Sequence, residues 1–394
     1  MGYTRVLFAG KFTPFHYGHL ATVCEALSRF DEVVIGVSTT PNKTEIFSDE
    51  VREKMIVASI NDFISMVEHR DLIGRKFSVA EIEAAELLTK NPKCLKIMFY
   101  NGLALDAAIR CKASFLICGE GGSSDKEDDK LIRMTEELTA VRGVSISTLI
   151  LPAPRPELVD VSSSLVRKLM QMGEYITAMN YVTPSVHNIL CDKYLRDIYL
   201  TMTDCKNFSE DYDIMFMNYR KRMYHNFSHI AYCWNMFEVY RLFEGENTTA
   251  IGETRMAFFW HDIEQGKNAV RRSTEMALNN LDRIWCHHDF LRSLINATDH
   301  ENSHLFTKIE EVMHDIDLAI WGDFQNYGLY AWSVMREYMD GGCSRKDYIR
   351  GRTKFLQKFL EKENIFRSSY FYNRFDDVAR ENIRKERDFW LAVE

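Results

Sequence analysis

The chain has 394 residues, of which 46% are hydrophobic and 27% are charged, and its net charge at pH 7 is −8. This length predicts two domains, and the negative charge gives no basis for binding nucleic acid or an anionic membrane surface. Nine cysteines without a C-x-x-C pair are typical of reduced thiols, so we expect a cytoplasmic protein without a signal peptide or membrane span.

Short β-rich runs alternate with helical stretches up to about residue 170. Strands are predicted at 5–9, 32–38, 94–100, 113–119 and 144–152. Helices are predicted between them, at 20–30, 49–62, 102–111 and 130–140. This alternation is typical of βαβ units and predicts a parallel sheet that is covered on both faces. We therefore predict an α/β, Rossmann-like domain over residues 1–190.

The strand signal ends near residue 190, and the rest of the chain is rich in helical patterns with Met, Phe, Tyr and Trp. We predict an all-α domain over residues 195–394. The linker is placed near residues 191–213, although that stretch also has the composition of a helix.

The stretch 10–20, GKFTPFHYGHL, puts His16 and His19 three residues apart just after the first strand. If a helix starts near Tyr17 or Gly18, both imidazoles face one point above its N-terminus. Partial positive charge and unpaired N–H groups favour a phosphate there. The alternative is a turn that uses glycine for its backbone freedom and carries surface histidines by chance.

A second polar group occurs in VDVSSSLVRKLM, where Ser162, Ser163 and Ser164 precede a predicted helix and Arg167 follows one turn later. Serine hydroxyls at a helix start cap N–H groups and donate to phosphate oxygens, and an arginine spans two such oxygens. Taken alone, serines at a helix start usually serve only as a cap.

Together, G-x-F-x-P-x-H-x-G-H and S-S-S-x-x-R resemble the adenylyltransferases of the HxGH nucleotidyltransferase superfamily. Within it, residues 4–190 most resemble the phosphopantetheine adenylyltransferase family, which acts in coenzyme A biosynthesis. The resemblance extends to VVIGVSTTPNKTEIFSDEVREKMI and YNGLALDAAIRCKASFLICG. It implies that ATP and Mg²⁺ bind this domain.

The resemblance also implies residue roles. His16 and His19 would contact the α- and β-phosphates, and Arg167 with the three serines the β- and γ-phosphates, while Lys43 would meet the acceptor phosphate. The residues expected to bind ATP or substrate are Gly10, Lys11, Phe12, Gly18, Arg52, Gly119, Ser162, Ser163 and Ser164.

Several positions depart from the family pattern. Lys11 replaces threonine or serine, and Cys118 and Gly121 stand where two phosphate-binding arginines are expected. His16 replaces a threonine and is closer to the P-x-H-x-G-H of nicotinamide-mononucleotide adenylyltransferases. The acceptor therefore need not be phosphopantetheine.

In the second half, His225 and His229 are spaced i, i+4, which places them on one face if a helix includes both. His261 and Asp262 end an apolar helical run. Asp315 and Asp317 lie inside another, where burial without a partner is costly. Shared coordination of a metal would remove that cost, while a His or Asp taken singly is more often a structural residue than a ligand.

The order H…HD…D resembles the HD phosphohydrolase superfamily, and RMYHNFSHI, FFWHDI and DIDLAIWG resemble a family of predicted metal-dependent HD phosphohydrolases over residues 212–386. The resemblance implies Mn²⁺, Mg²⁺, Co²⁺, Ni²⁺ or Fe²⁺ held by His229, His261, Asp262 and one of the two aspartates. Residues two apart on a helix face different ways, so only one aspartate should point inward, and periodicity does not decide which. We favour Asp315. A second ion would involve His225 and His300.

One departure concerns the stretch after the HD pair, KNAVRRSTEMA, which lacks an acidic residue often found there. Arg271 and Arg272 stand nearby and would either bind substrate phosphate or belong to a solvated helix face.

We therefore expect a bifunctional enzyme that joins an adenylyltransferase to a metal-dependent phosphohydrolase with small-molecule substrates, and that forms a homo-oligomer. In one alternative the first domain is a non-catalytic nucleotide sensor that regulates the hydrolase. In another, both sites are non-catalytic and the chain is a regulatory binding protein.

Overall fold

The structure is a computed structural model that describes residues 3–40, 46–120, 125–153, 155–203, 208–244, 251–281, 287–300 and 306–393. Lys43 and Gly121, two positions singled out in the sequence, lie outside these ranges. The chain forms two compact units. The first comprises Met1–Arg70, Arg75–Met172 and Thr177–His187, and the second comprises Asp71–Gly74, Gly173–Ile176 and Asn188–Glu394.

The first unit contains a five-stranded parallel sheet. Its strands are β1 Arg5–Gly10, β2 Glu32–Ser38, β3 Leu95–Tyr100, β4 Phe115–Gly119 and β5 Ser147–Leu151, in the order β3-β2-β1-β4-β5. Within this register Val6 of β1 pairs with Val33 of β2 on one side and with Phe115 of β4 on the other. The predicted parallel α/β sheet is confirmed.

Helices connect these strands and continue beyond them. They are α1 Tyr17–Leu27, α2 Asp49–Glu68, α3 Arg70–Ile73, α4 Val79–Lys90, α5 Ala104–Cys111, α6 Asp125–Arg142, α7 Ser163–Gln171, α8 Tyr175–Met179 and α9 Pro184–Thr203. Short 3-10 helices cover Pro92–Cys94 and Pro156–Leu158. Serine caps fix several of the starts: the Ser48 side chain accepts from the Val51 N–H in α2, and Ser78 forms a capping box with Glu81 in α4.

The core of the first unit includes β2, EVVIGVS, which is buried along its entire length. This is expected for an interior strand of a sheet that is covered on both faces. On one face of the sheet, Leu7, Val34 and Leu116 pack with Ala107 and Ala108 of α5. The small alanines allow close approach of the helix to the strands.

The second unit is helical, and none of its described residues lies in a strand. After α9 it contains α10 Phe208–Tyr219, α11 Phe227–Glu244, α12 Ile251–Trp260, α13 Ala269–Leu281, α14 His288–Ala297, α15 Lys308–Leu318, α16 Tyr327–Asp340, α17 Arg345–Leu360 and α18 Ser369–Val393. A 3-10 helix, Ala319–Gly322, follows α15. Three fully buried tryptophans, Trp260, Trp332 and Trp390, belong to its core.

The stretch 191–213, where the sequence placed a linker, is helical in its described part because α9 extends to Thr203 and α10 begins at Phe208. The helical alternative is the correct one there. Within the described ranges, no helix has both the length and the apolar character needed to cross a membrane.

Candidate functional site

The strand order of the first unit defines where a ligand would bind. From β1 the chain crosses to β2 on one side, whereas β4 and β5 lie on the other side, so the winding reverses between β1 and β4. In open parallel sheets, ligands bind in the crevice at the carboxyl ends of the strands at such a reversal. Gly10, the last residue of β1, and Gly119, the last residue of β4, lie at this edge. The residues that follow each of them therefore border the crevice.

His16 and His19 face each other at the start of α1, which begins at Tyr17 as expected. The His16 Nδ1 accepts from the His19 backbone N–H at 3.4 Å, and the His19 Nδ1 accepts from the His16 N–H at 3.3 Å. The rings stack with centroids 3.6 Å apart. Because both Nδ1 atoms accept, the hydrogen of each neutral ring is assigned to Nε2. The pair thus offers two Nε2–H donors beside a helix N-terminus.

Burial keeps both imidazoles neutral. It lowers the pKa of His16 to about 3. Burial, followed by the positive charge of a protonated His16, holds the pKa of His19 well below its ordinary value. At neutral pH the two rings therefore act as hydrogen-bond donors without carrying charge, and the helix N-terminus adds partial positive charge.

The start of α7 holds the backbone that precedes this histidine pair. The Ser163 hydroxyl donates to the Pro14 carbonyl at 2.9 Å, and the Arg167 guanidinium donates to the Thr13 carbonyl. Ser162 caps the helix by accepting from the Leu165 N–H at 3.2 Å. The serine group and the histidine pair therefore meet at one edge of the sheet. In the sequence, Ser162 follows His19 by 143 residues.

Ser164 is exposed beside Ser162, with their hydroxyl oxygens 3.0 Å apart. The structure thus gives two of the three serines contacts that build the site, while the Ser164 hydroxyl reaches solvent. Arg167 is used to position the turn in this conformation.

Arg52 is fully buried and donates to the carbonyls of Lys11 and Ser38, at 3.0 and 2.9 Å, and to the Asp49 carboxylate. It therefore ties the loop after β1 to the end of β2. Lys11 is partly exposed at the same edge, and its Nζ donates to the Thr40 carbonyl. The predicted binding residue Arg52 has a positioning role in this conformation.

The glycines of the site have packing reasons. A Cβ on Gly119 would lie 2.3 Å from the Thr22 Oγ1, so a larger residue at the end of β4 would collide with α1 unless Thr22 changed. A Cβ on Gly18 would lie 3.1 Å from the His16 ring, and one on Gly10 would lie 2.9 Å from the Phe12 ring. Phe12 packs edge-on against His19 with centroids 4.9 Å apart.

In the second unit, four side chains from three regions converge. The His229 Nε2 lies 3.1 Å from the His261 Nε2, 3.0 Å from the Asp317 Oδ1 and 3.3 Å from the Asp262 Oδ2. The His261 Nε2 lies 3.2 Å from the Asp262 Oδ2 and 3.4 Å from the Asp317 Oδ1. We call these four residues, His229, His261, Asp262 and Asp317, the HD cluster.

The carboxylates of the HD cluster interact strongly with the neighbouring histidines. Burial would raise the pKa of Asp262, but His261 and His225 nearby hold that pKa well below its usual range. Burial likewise opposes ionisation of Asp317, and hydrogen bonds from the histidines lower its pKa. Both carboxylates are therefore ionised and face two imidazole nitrogens around one point.

The donor set of the HD cluster fits a divalent metal. Two imidazole Nε2 atoms and two carboxylate oxygens are ligands that transition ions and zinc accept. The His261 Nδ1 lies 3.0 Å from the Phe258 carbonyl, an outer hydrogen bond of the kind that leaves Nε2 available as a ligand. Cys233, one helical turn after His229, has its Sγ 3.8 Å from the His229 Nε2. Together with His229, His261 and Asp317, but without Asp262, it forms a group whose ligand atoms all lie within 4.8 Å of one another.

The preference for Asp315 over Asp317 is corrected by the structure. Asp315 is fully buried, and its carboxylate accepts from the Arg367 N–H at 2.8 Å and from the Ser368 N–H and hydroxyl, each at 2.7 Å. The His314 Nδ1 lies 2.9 Å away. Asp315 thus anchors the segment before α18, and Asp317 is the aspartate that faces the histidines.

His225 and His300 lie near the HD cluster and make different contacts. The helical face proposed for His225 and His229 does not exist, because α11 begins at Phe227. The His225 Nδ1 instead lies 2.6 Å from the Glu337 Oε1, while the Glu337 Oε2 accepts the N–H groups of Tyr224 and His225. The His300 Nε2 lies 3.1 Å from the Asp317 Oδ2.

Glu337 and Cys233 are not predicted from the sequence. Cys233 has a signal that could have found it, the i, i+4 spacing from His229 on α11. Glu337 has none, since it lies in an ordinary amphipathic helix 112 residues after His225.

The two arginines after the HD pair take different positions. Arg272 donates to the Glu264 carboxylate and to the carbonyls of Lys267 and Gln265, so it holds the turn before α13. Arg271 is exposed and pairs with Glu275 at 3.4 Å, as a solvated helix face would have it.

Comparison with known proteins concerns the first unit. Residues 7–169 match the family described as cytidylyltransferase-like. A phosphopantetheine adenylyltransferase of Kocuria rhizophila is 30% identical over 190 residues, which cover 48% of this chain and 99% of that protein. Another from Phocaeicola vulgatus is 29% identical over 174 residues, which cover 44% of this chain and 92% of that protein.

Among solved structures, the nicotinic acid mononucleotide adenylyltransferase of Plasmodium falciparum complexed with NaAD matches 50% of this chain and 97% of its own, with 14% identity and a TM-score of 0.27. That similarity is too weak to carry a conclusion. The family match ends at residue 169 and does not reach the HD cluster. In the N-terminal unit, the histidine pair and the serines at the start of α7 lie where the winding of the sheet reverses. Through this unit, the chain belongs to the phosphopantetheine adenylyltransferase family of cytidylyltransferase-like proteins.

Proposed function

We propose that the N-terminal unit transfers AMP from ATP to a phosphorylated acceptor. The observation that carries this proposal is the stacked pair of His16 and His19, whose Nε2–H groups and helix N-terminus are presented at the reversal point of the sheet. The relatives named as phosphopantetheine adenylyltransferases support an adenylyl transfer reaction.

In this reaction an oxygen of the acceptor phosphate attacks the α-phosphorus of ATP, and the bond to the bridging oxygen of pyrophosphate breaks. The reaction needs positioning and neutralisation of charge on the transferring group, and no covalent intermediate on the protein. The Nε2–H groups of His16 and His19 donate to the α- and β-phosphates. The start of α7 lies beside the β- and γ-phosphates, and Mg²⁺ bound to ATP supplies further positive charge.

The acceptor is a phosphomonoester that need not be phosphopantetheine. Cys118 and Gly121 stand where the family pattern has arginines. Lys11, at the crevice edge, provides a cation that the family pattern lacks. Lys43 is our candidate for contact with the acceptor phosphate.

The test is to incubate the full chain with ATP, Mg²⁺ and a panel of phosphorylated acceptors while pyrophosphate release is measured. The panel contains phosphopantetheine, nicotinamide mononucleotide and several sugar phosphates. Release that depends on one acceptor, with an AMP-containing product of matching mass, supports the proposal. If no acceptor stimulates pyrophosphate release while ATP still binds, the unit is a non-catalytic nucleotide sensor, as in the alternative given in the sequence analysis.

For the C-terminal unit, we propose a metal-dependent phosphohydrolase. The observation that favours it is the convergence of His229, His261, Asp262 and Asp317 within hydrogen-bonding distance around one point. These four residues would hold the ion, and a bound divalent ion makes water acidic enough to act as a nucleophile near neutral pH. His225, fixed by Glu337, and His300, whose Nε2 contacts the Asp317 carboxylate, border the same point.

This second activity is tested by loading the full chain with Mn²⁺, Mg²⁺, Co²⁺, Ni²⁺ or Fe²⁺ and measuring phosphate release from a set of phosphoesters and nucleotides. Metal-dependent turnover that is lost in His261→Ala supports it. A protein that binds none of these ions, and in which His261→Ala changes neither metal content nor turnover, would make the helical unit a binding or assembly module.

A further inference from the structure

A cavity of about 550 Å³ opens beside the HD cluster in the second unit, and Asp262 and Asp317 form part of its wall. This volume is that of a typical small-molecule site. The rest of the wall comes mainly from α16, α17 and the 3-10 helix after α15. We call it the aromatic cavity because six of its lining residues are Tyr224, Trp321, Tyr330, Tyr338, Tyr348 and Phe355.

The aromatic rings are held in fixed positions. Tyr224 packs edge-on against Tyr330 with centroids 4.7 Å apart, and the Trp321 Nε1 donates to the Tyr330 hydroxyl at 2.8 Å. Tyr338 lies against Tyr348 at 5.7 Å. Rigid aromatic walls of this kind bind flat rings by stacking, which is worth a large share of the affinity for a nucleobase.

The charges around the cavity argue against a chain of phosphates. Among the described residues that line it, Arg352 is the one lysine or arginine, and its guanidinium is bound to the buried Glu386 carboxylate at 2.8 and 3.0 Å. Asp299 and Asp347 line the cavity as well and are not part of the HD cluster. Outside the cluster, the part of the wall that the structure describes therefore offers no uncompensated arginine for a second or third phosphate.

Resting on the proposed phosphohydrolase function, we infer that the aromatic cavity binds a nucleoside monophosphate, with its base among the aromatic rings and its one phosphate at the HD cluster. In the reaction, water adds to phosphorus, the bond from phosphorus to the 5′-oxygen breaks, and that oxygen takes a proton. The products are a nucleoside and inorganic phosphate. His225 and His300, which line the same cavity beside the cluster, face the phosphate end.

Tyr338 is the residue on which the test depends. Its side chain is 53% exposed, so its removal leaves no hole in the core. Tyr338→Ala removes the ring and Tyr338→Phe keeps it. Phe324 provides the matched control, since it is 75% exposed in the same unit and does not line the cavity.

The experiment measures phosphate release by the Mn²⁺-loaded full chain from AMP and UMP, from ribose 5-phosphate, which lacks a base, and from ATP. We expect kcat/KM for the nucleoside monophosphates to exceed that for ribose 5-phosphate by about tenfold or more, in line with the loss of one base-stacking contact. Tyr338→Ala should lower it by a similar factor, and Tyr338→Phe, which keeps the ring, should restore most of the loss. Phe324→Ala should stay within about twofold of the parent chain. Adenosine should inhibit ribose 5-phosphate hydrolysis competitively.

A second measurement separates this inference from the hydrolase proposal. AMP is titrated into the Mn²⁺-loaded chain and its variants by calorimetry, and the part of the binding that Tyr338→Ala removes belongs to the aromatic cavity. Binding of this kind without hydrolysis of any monoester supports the cavity assignment and overturns the hydrolase. Hydrolysis that ignores the base, prefers ATP, or is unchanged in Tyr338→Ala overturns the cavity assignment and leaves the hydrolase. Absence of both overturns both.

Discussion

The Nε2 of His229 lies 3.0 Å from the Oδ1 of Asp317, a residue 88 positions later in the chain. Asp315, only two residues before Asp317 on α15, instead accepts two backbone N–H groups and a hydroxyl from Arg367 and Ser368. Residues two apart on a helix point in different directions. One aspartate of the pair therefore faces the HD cluster, and the other supports the fold.

This division predicts opposite effects of two matched substitutions. Asp317→Asn should lose the metal and the hydrolytic activity, because it removes one ligand charge from the cluster. Asp315→Asn should keep the metal and lower the free energy of unfolding by about 2–4 kcal/mol, because its amide nitrogen faces N–H donors that are left unpaired. Metal content after dialysis and urea unfolding of both variants give the answer. Equal metal loss in the two variants contradicts the assignment.

The sequence predicts the ligand types but not their full geometry. Periodicity cannot choose between Asp315 and Asp317, since both interrupt the same apolar run and the choice depends on Ser368, 53 residues after Asp315. The i, i+4 spacing of His225 and His229 predicts a shared helical face only if the helix includes both. Glu337 bonds to the N–H groups of Tyr224 and His225, and the helix starts after them, at Phe227.

The first unit is predicted better because its signals are local. β-branched runs between helical stretches fix the parallel sheet, and the helix start at Tyr17 follows from the turn residues before it. The contacts of Ser163 and Arg167 with Pro14 and Thr13 are different, since they join residues about 150 positions apart and depend on the crossing of the chain over the sheet.

Removal of the second histidine of the pair tests adenylyl transfer. His19→Ala takes away one Nε2–H donor to the transferring phosphates, and we expect kcat/KM for transfer to fall at least a hundredfold, about 3 kcal/mol of transition-state stabilisation. His69→Ala is the control, because His69 caps the far end of α2 in the same unit. Pyrophosphate release measures both. Unchanged release in His19→Ala would rule out the proposed role.

Acceptor choice gives a further prediction. Because Cys118 and Gly121 replace arginines expected to bind phosphate, phosphopantetheine should be a poor acceptor relative to at least one other phosphomonoester in the panel. Lys11→Met should raise KM for the preferred acceptor or for ATP by removing the cation at the crevice edge. Steady-state kinetics with each acceptor decide the matter. Saturable and efficient turnover of phosphopantetheine would mean that Lys11 and Lys43 compensate for the missing arginines.

The neutral state of His16 predicts a pH dependence of stability. Its pKa is about 3 in the folded chain, against about 6.5 in an unfolded chain. Above pH 6.5 neither state is protonated and the stability is complete. As the pH falls below 6.5, His16 binds a proton in the unfolded state but stays neutral in the folded state. The free energy of unfolding therefore decreases down to about pH 3.

Between pH 6.5 and pH 5 this loss amounts to about 2 kcal/mol for one histidine. His16→Asn removes the titrating group and keeps an acceptor for the His19 N–H at the helix cap. Hydrogen exchange of the β1 amides, corrected for the intrinsic effect of pH, should therefore show a smaller loss of protection in His16→Asn than in the parent chain. Equal losses in the two proteins would place the pH sensitivity elsewhere.

The close approach of α1 to the end of β4 gives the last prediction. A Cβ on Gly119 would lie 2.3 Å from the Thr22 Oγ1, and the other Thr22 atoms lie at 3.5 Å or beyond. Gly119→Ala should destabilise the first unit by about 1–3 kcal/mol, the usual cost of overpacking. Thr22→Ala removes the atom in conflict, so the double variant should recover most of the loss. The coupling energy from the four unfolding measurements tests this directly. Purely additive effects would mean that the cost of Gly119→Ala does not come from the contact with Thr22.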